Sequence, residues 1–397
     1  MTAAQDDAIR LFRSLTGSAP AGVWSAPGRA NLIGEHTDYN EGFVLPFAIA
    51  QRTFAAVGPR DDERIRVAST FSDEQVEVAL DELDGLFSGP AGEAVRSGAV
   101  AEWAAYPLGV AWAALAARPD ARATGLDIAI ASDVPVGAGL SSSAAIEGAA
   151  AGALSDLWSL DLSLIDMAKI GRRAENEAVG APTGIMDQVA SVMGRVDAAT
   201  FLDCRTLETR SVDLGLAGEG LALLVIDTRV THAHSTGGYG DRRAACERGA
   251  AALGVPMLRD LGTDDLERAR RTLDDETFRR VRHIVTENQR VLDAVRTLDA
   301  SGPRAIGDLL VASHASMRDD FEISVPELDA AVDASLAAGA IGARMTGGGF
   351  GGSAIALVER AAVDAVSRAV AAAFDAAGFR APHLFTVEPS EGVRRDA

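Results

Sequence analysis

Residues 126–145 read Leu126-Asp-Ile-Ala-Ile-Ala131 and then Ser132-Asp133-Val134-Pro135-Val136-Gly137-Ala138-Gly139-Leu140-Ser141-Ser142-Ser143-Ala144-Ala145. The apolar residues of the first part alternate as in a half-buried strand, and the alanine-rich run that follows predicts a helix over 142–158. Strand, loop of small residues and helix start follow one another. Such a loop lets backbone N–H groups approach a ligand closely, and the helix N-terminus adds partial positive charge, so the pair suits a phosphate. Neither the Gly-Lys-Ser/Thr ending of a Walker loop nor the spacing of a dinucleotide fingerprint is present. A Gly/Ser turn that merely caps a helix fits the same residues.

Upstream, Gly28-Arg29-Ala30-Asn31-Leu32-Ile33-Gly34-Glu35-His36-Thr37-Asp38-Tyr39-Asn40-Glu41-Gly42-Phe43-Val44-Leu45-Pro46 sets a cation (Arg29), two carboxylates (Glu35, Asp38), an imidazole (His36) and an amide (Asn40) among glycines, and ends on an apolar strand. So many hydrogen-bonding side chains between turn residues fit a polyhydroxylated ligand; a solvated turn is the plain alternative. Downstream, Gly347-Gly348-Gly349-Phe350-Gly351-Gly352 has five glycines in six residues, followed by the apolar strand Ser353–Val358. Ordering that many glycines is entropically unfavourable, so the backbone is expected to approach something closely, or to form a wide hairpin turn.

Taken together, these segments resemble a known family. Residues 28–46 look like the galactokinase signature, with Ala30 where Val is usual. The loop after Pro135 resembles the Pro-x-x-x-Gly-Leu-x-Ser-Ser-Ala phosphate loop of the small-molecule kinases that include galactokinase, homoserine kinase, mevalonate kinase and phosphomevalonate kinase, and the glycine run resembles their C-terminal motif. Glu175-Asn-Glu-Ala-Val-Gly-Ala-Pro-Thr-Gly184-Ile-Met-Asp187-Gln188 resembles the galactokinase segment with a metal-ligand Glu and, twelve residues on, an Asp facing the sugar. Asp227-Thr-Arg-Val-Thr-His232-Ala-His234-Ser-Thr-Gly-Gly-Tyr239 resembles the strand and loop that bring a Tyr onto the sugar ring. The resemblance runs from about Ala21 to Val358, in the family's order.

What the resemblance implies is an ATP-dependent kinase that phosphorylates D-galactose at the C1 hydroxyl. Gly137, Ala138, Gly139, Leu140, Ser141, Ser142, Ser143 and Ala144 would cradle the nucleotide, Ser143 and Glu175 would hold Mg²⁺ as hard oxygen ligands, and Gly347, Gly348, Gly349 and Gly351 would lie near the phosphates. Asp187 and Arg29 would be catalytic, with Asp187 either abstracting the hydroxyl proton or acting by electrostatics together with Arg29. Glu35, His36, Asp38, Gly184, Asp187 and Tyr239 would read the sugar. N-acetylgalactosamine or arabinose kinases are the nearest alternatives. A catalytically silent galactose/ATP sensor is another, set against by an intact Ser141-Ser142-Ser143-Ala144-Ala145.

Composition bounds the rest. A chain of 397 residues, 48% apolar, can bury a large core and is expected to form two domains. Its 37 basic and 57 acidic residues leave a net charge of −20, which opposes binding to nucleic acid or anionic lipid, so an anionic nucleotide needs a locally positive site. Cys204 and Cys246 make no closely spaced ligand pair, and His232 with His234 lacks a third ligand, so neither disulfide scaffold nor zinc is expected. The N-terminus is acidic and no long uncharged apolar run occurs, which predicts a cytoplasmic protein, with a monomer as the expected state.

Along the chain, residues 21–57, 65–80, 196–203 and 221–227 read as strands, with Arg60–Arg64 a charged turn. Helices are expected over 5–15, 98–117, 142–158, 163–179, 303–316, 326–338 and 361–377. Between them, 264–300 reads as a helical pair with Glu267, Arg270, Arg271, Arg279, Arg280 and Arg282 on solvated faces. The tail, 388–397, reads as loose. This is an α+β pattern, and the resemblance implies the two-domain fold of that kinase superfamily (the GHMP type), with mixed sheets, helices packed on them and an active-site cleft between residues 1–200 and 201–397.

Overall fold

The structure, a computed structural model, describes residues 2–135, 137–230 and 235–397. Val136, His232 and His234 lie outside the described residues.

Among the described residues, thirteen strands make three sheets. β1 (Gly22–Asn31), β3 (Pro46–Pro59), β4 (Arg64–Ser69), β5 (Ser72–Ala79), β6 (Leu126–Ser132) and β13 (Arg394–Arg395) form the largest, in the order β13-β1-β3-β6-β4-β5, with only the β4–β6 pair parallel. β2 (Phe43–Val44), β7 (Ala198–Asp203) and β8 (Thr209–Asp213) form a small sheet. β9 (Leu221–Asp227), β10 (Gly342–Thr346), β11 (Ser353–Glu359) and β12 (His383–Val387) form an antiparallel one in the order β10-β11-β9-β12. The helices are α1 (Ala3–Thr16), α2 (Glu82–Phe87), α3 (Glu93–Arg96), α4 (Glu102–Ala117), α5 (Ser142–Leu157), α6 (Leu164–Arg173), α7 (Met186–Met193), α8 (Ser235–Leu253), α9 (Leu266–Thr272), α10 (Asp275–Ser301), α11 (Gly307–Ser316), α12 (Pro326–Ala337) and α13 (Val363–Ala377). None of the helices among the described residues is long and apolar enough to cross a membrane.

The large sheet is covered on both faces, and the period of two in its strands sorts the residues between them. Phe54, Ala56, Ala129 and Ala131 pack with Ala8 and Phe12 of α1, whereas Ala55, Val57, Ile128 and Ile130 pack with Leu108 and Trp112 of α4 and Leu154 of α5. β6 is thus buried on both faces rather than half-buried, because α1 covers the side its alanines present. A second core joins the two halves of the chain. Leu45, Phe47, Ile49, Val134 and Leu140 meet Leu223, Val225, Val291, Ile355 and Leu357 there, beneath the loops that follow β1 and β6.

Three expectations need correction. The stretch 65–80 is a hairpin, β4–β5, not one strand. Arg280 is not on a solvated face: it is 2% exposed, and its guanidinium reaches the Asp320 carbonyl and, at 2.6 Å, the Glu322 carboxylate. The C-terminal tail is not loose. β13 pairs with β1, the Val23 N–H donates to the Ala397 carbonyl at 3.0 Å, and that of Asp396 donates to the Val23 carbonyl at 2.8 Å. Buried Arg52 anchors the tail as well, donating to the carbonyls of Glu391 (2.7 Å) and Gly392 (2.6 Å) and to Ser25. So short and polar a strand carries no signal of its own; only the open edge of β1 makes it one.

Deleting residues 391–397 should therefore destabilise the protein by at least about 2 kcal/mol, since it strips partners from a buried guanidinium and from an edge strand. Urea unfolding of the full and shortened chains measures this, and a truly loose tail would leave the midpoint unchanged.

Candidate active site

A cavity of about 270 Å³ opens where β1, the segment that follows it, the stretch leading into α7, the start of α8 and the β10–β11 turn converge. Its lining includes Arg29, Glu35, His36, Asp38, Pro182, Thr183, Gly184, Asp187, Tyr239 and Gly347–Gly349. Every residue expected to read the sugar or to act on it is in that lining, although they are spread over most of the chain.

Arg29 and Asp187 form its charged wall. The guanidinium donates Nε–H to Oδ1 and Nη2–H to Oδ2, both at 2.8 Å, and its Nη1 donates to the Gly139 carbonyl at 2.6 Å. Two parallel bonds fix the plane of the carboxylate as well as its place. The Ser141 hydroxyl donates to the same Oδ2, so the side chain of this serine orients Asp187. Leu140 and Ala138 also turn inward. Their side chains are buried, while their carbonyls accept from the Arg29 N–H at 3.0 Å and the Ser353 hydroxyl at 2.7 Å.

The segment after β1 is held in an uncommon backbone conformation, with φ of 103° at Gly34, 62° at His36 and 58° at Glu41. Glu35 is almost fully buried and accepts from the Gly347 N–H (2.7 Å) and from Asn31, with Arg344 at 3.4 Å; burial pushes its pKa up, against the pull of Arg344 and Arg29. The Gly348 carbonyl can only accept, so His36 carries its proton on Nε2 (3.1 Å), and Nδ1 accepts from the Tyr39 hydroxyl (2.8 Å). Burial lowers the His36 pKa to about 3, so the ring is a neutral strut that ties the first motif to the glycine run. Asp38 accepts from its neighbour's Tyr39 N–H at 2.9 Å and faces Gly184, where a Cβ would stand 1.8 Å from its Oδ2. Only glycine allows that approach. Tyr239 sits in the first turns of α8, not on a loop, with its ring 4.9 Å from that of His36.

The two glycine loops touch backbone to backbone. A Cβ on Gly347 (φ 88°) would lie 3.0 Å from the Gly139 carbonyl, and one on Gly351 (φ 135°) would lie 2.4 Å from that of Val230. The run is a turn, as β10 and β11 pair up to Thr346↔Ser353, and it is also a close approach. Gly137 and Gly139, at φ 76° and 72°, shape the partner loop before Ser142 opens α5.

Ser143 and Glu175 do not line the cavity. Glu175 lies in a π-helical turn, Ala174–Val179, that ends the helix expected over 163–179. Such turns bring side chains out of regular helical register and recur at functional sites. Its Oε2 accepts from Thr183 and from Gln188, both at 2.7 Å, and Ser143 is a further neutral donor beside it. Burial first, then the Asp187 charge, raises its pKa. Sequence reading missed Gln188 and Glu147. The Gln188 amide bridges the Glu175 and Glu147 carboxyls (2.7 and 2.9 Å), and burial holds Glu147 well above the ordinary carboxylate range. Neither residue has a local signature; a glutamate inside an otherwise apolar, alanine-rich helix was the only clue.

The chain is similar to known proteins over most of its length. Residues 10–59 match the family described as galactokinase galactose-binding signature, 105–195 the GHMP kinases N terminal domain, and 294–376 the GHMP kinases C terminal. A galactokinase of Streptomyces coelicolor is 54% identical, covering 97% of this chain and 96% of its own. The crystal structure of Lactococcus lactis galactokinase complexed with galactose superposes with a TM-score of 0.89 at 30% identity, over 97% of this chain and 98% of that one. The Methanococcus jannaschii mevalonate kinase structure, at 17% identity and a TM-score of 0.64 over 93% of this chain and 98% of its own, shares the fold.

Burial, and next the charge of Asp187, raise the Asp38 pKa from 3.8 to about 6. The folded state then holds this proton more tightly than the unfolded chain, so stability is lost as pH rises from about 4 through about 6. Asp38→Asn should stabilise the protein at pH 7 by up to about 3 kcal/mol, a gain that vanishes below about pH 4. Urea titrations of both proteins at the two pH values test this; a gain independent of pH would contradict it.

Proposed function

The chain belongs to the galactokinase family of GHMP kinases, and from that premise we propose that it transfers the γ-phosphoryl group of ATP to the C1 hydroxyl of D-galactose, giving galactose 1-phosphate and ADP. The observation that carries this reading is the Arg29–Asp187 fork, which faces a cavity between the sugar signature and the glycine turn and is bonded from behind by Gly139 and Ser141 of the phosphate loop. With a domain boundary near residue 200, the phosphate loop belongs to one side of the cleft and the glycine turn to the other.

Phosphoryl transfer asks the protein mainly for positioning and charge stabilisation. The amides that open α5, together with Gly137 and Gly139, receive the phosphates, and the closely apposed glycine turn supplies further N–H groups without side-chain obstruction. Asp187 accepts the hydrogen bond of the attacking hydroxyl. Arg29 keeps the carboxylate oriented, and its charge counters that of the transferring group. Asp38, Gly184 and Tyr239 read the remaining hydroxyls. Glu35 and His36 shape the wall, since their polar atoms already have partners in the protein.

The residues present fit a divalent cation. Glu175 is buried beside Asp187 and makes no ion pair among the described residues, so its charge lacks a counterpart, and Ser143 adds a second hard oxygen. These two residues would hold Mg²⁺, which would supply positive charge for the phosphoryl transfer.

A coupled ADP assay over hexoses, pentoses and N-acetylhexosamines tests the reading: turnover is expected with galactose and Mg²⁺ together, and turnover with homoserine or mevalonate instead would overturn it. Asp187→Asn breaks the fork and removes the charge, and should lower kcat by roughly 10²–10⁴-fold with little change in ATP affinity. Near-normal kcat would remove Asp187 from the chemistry.

Glucose differs from galactose only in the orientation of the C4 hydroxyl. A site that hydrogen-bonds that group through Asp38 and Tyr239 should show kcat/KM for glucose at least about two decades lower. Comparable steady-state efficiencies on the two sugars would mean that other residues hold C4.

A further inference from the structure

The segment that carries Glu35, His36 and Asp38 has three positive-φ residues and, on the side away from the cavity, backbone groups that need partners. Three of those partners come from a single helix far along the chain. On α10, Glu287 Oε1 accepts from the Gly34 N–H at 2.9 Å, His283 Nε2 donates to the Glu35 carbonyl at 3.1 Å, and Asn288 Oδ1 accepts from the Phe43 N–H at 2.9 Å. All three side chains are buried. The spacing of four residues between His283 and Glu287 puts both on one helical face, with Asn288 beside them.

Each member is itself held. Because a carbonyl only accepts, His283 carries its proton on Nε2, and Nδ1 accepts from the Ser316 hydroxyl at 2.9 Å. Glu287 also accepts from Ser313 at 2.7 Å, and its other oxygen pairs with Arg290 Nε at 2.7 Å. Burial opposes its charge, but Arg290 and other cationic partners prevail and bring its pKa to about 2. Shape adds to the bonding. A Cβ at Gly34 would lie 2.8 Å from Val291, and one at Gly42 would lie 2.2 Å from Asn288 Oδ1, so the glycines at both ends of the segment are pressed onto this helix.

We propose that His283, Glu287 and Asn288 form a positioning platform that presets residues 34–43, and through them the sugar-reading side chains, in the conformation that recognises the hexose. The inference rests on the galactokinase reading and deepens it. Strained backbone persists only where its surroundings over-determine it, and here three hydrogen bonds from one rigid helix do so. None of the three side chains lines the cavity, so their effect on the sugar is exerted through the segment.

Steady-state kinetics and hydrogen exchange on the full chain test this. His283→Leu and Asn288→Ala should each raise KM for galactose by roughly tenfold or more, with KM for ATP moving by less than about twofold. Exchange in peptides covering 34–43 should quicken while β9 keeps its protection. His283→Gln, whose amide N–H can take the place of Nε2–H, should stay within about threefold of wild type. Should His283→Leu not fold, Asn288→Ala and its exchange pattern still decide. Wild-type galactose KM and unchanged exchange in the folded variants would overturn the platform, as would His283→Gln behaving like His283→Leu. An active wild type makes that a failure of the platform alone; a wild type inert toward galactose sinks the galactokinase reading and the platform with it.

Discussion

One guanidinium organises this molecule's cleft. Arg29, at the end of β1, bonds Asp187 on α7 with two hydrogen bonds and the Gly139 carbonyl with a third, so its one side chain joins three chain segments. Its side chain is 6% exposed and that of Asp187 21%. A charge pair so far out of water gains stability only if its geometry is good and its remaining hydrogen bonds are satisfied, and losing one partner leaves the other charge stranded. The fork therefore constrains the fold as much as the proposed chemistry. The loop before α5, with Ser141 donating to the same carboxylate, cannot move without disturbing Asp187.

Around that fork the protein gathers more carboxylates than cations, and each one is managed differently. Glu35 has Arg344 and two N–H donors, and Glu287 has Arg290. Glu147 avoids the problem through burial that favours its neutral form, sharing one amide with Glu175. Glu175 has only neutral donors, and Asp38 faces Asp187 with its ionisation opposed. The groups left short of positive charge are those to which the proposed function assigns a metal and a sugar. An overall charge of −20 is thus compatible with an anionic co-substrate, because the compensation is local.

The glycines show how far a sequence can be read. Five in six residues at 347–352 imply a backbone that either turns or closely approaches another, and it does both, as Gly347 and Gly351 adopt positive φ against carbonyls of distant segments. The strand–loop–helix at 126–158, the polar signature at 28–46 and the Glu175–Asp187 spacing are likewise local patterns, and each ends at or beside the cleft. Every residue expected from them to read the sugar lines the cavity.

What the chain states on its own is local: which backbone needs glycine, where periodicity makes strand or helix, and which side chains can carry this chemistry. Partnership was decided only in three dimensions. Asn288 holds Phe43 across 245 residues, and Gln188 links Glu175 with Glu147. The two residues of β13 become a strand only because β1 presents an open edge, and Arg280 is buried on a helix whose charged residues look alike in one dimension. A buried polar residue and a solvated one have the same letter. Their difference is the partner that removes the penalty of burial, and that partner is supplied by the tertiary fold.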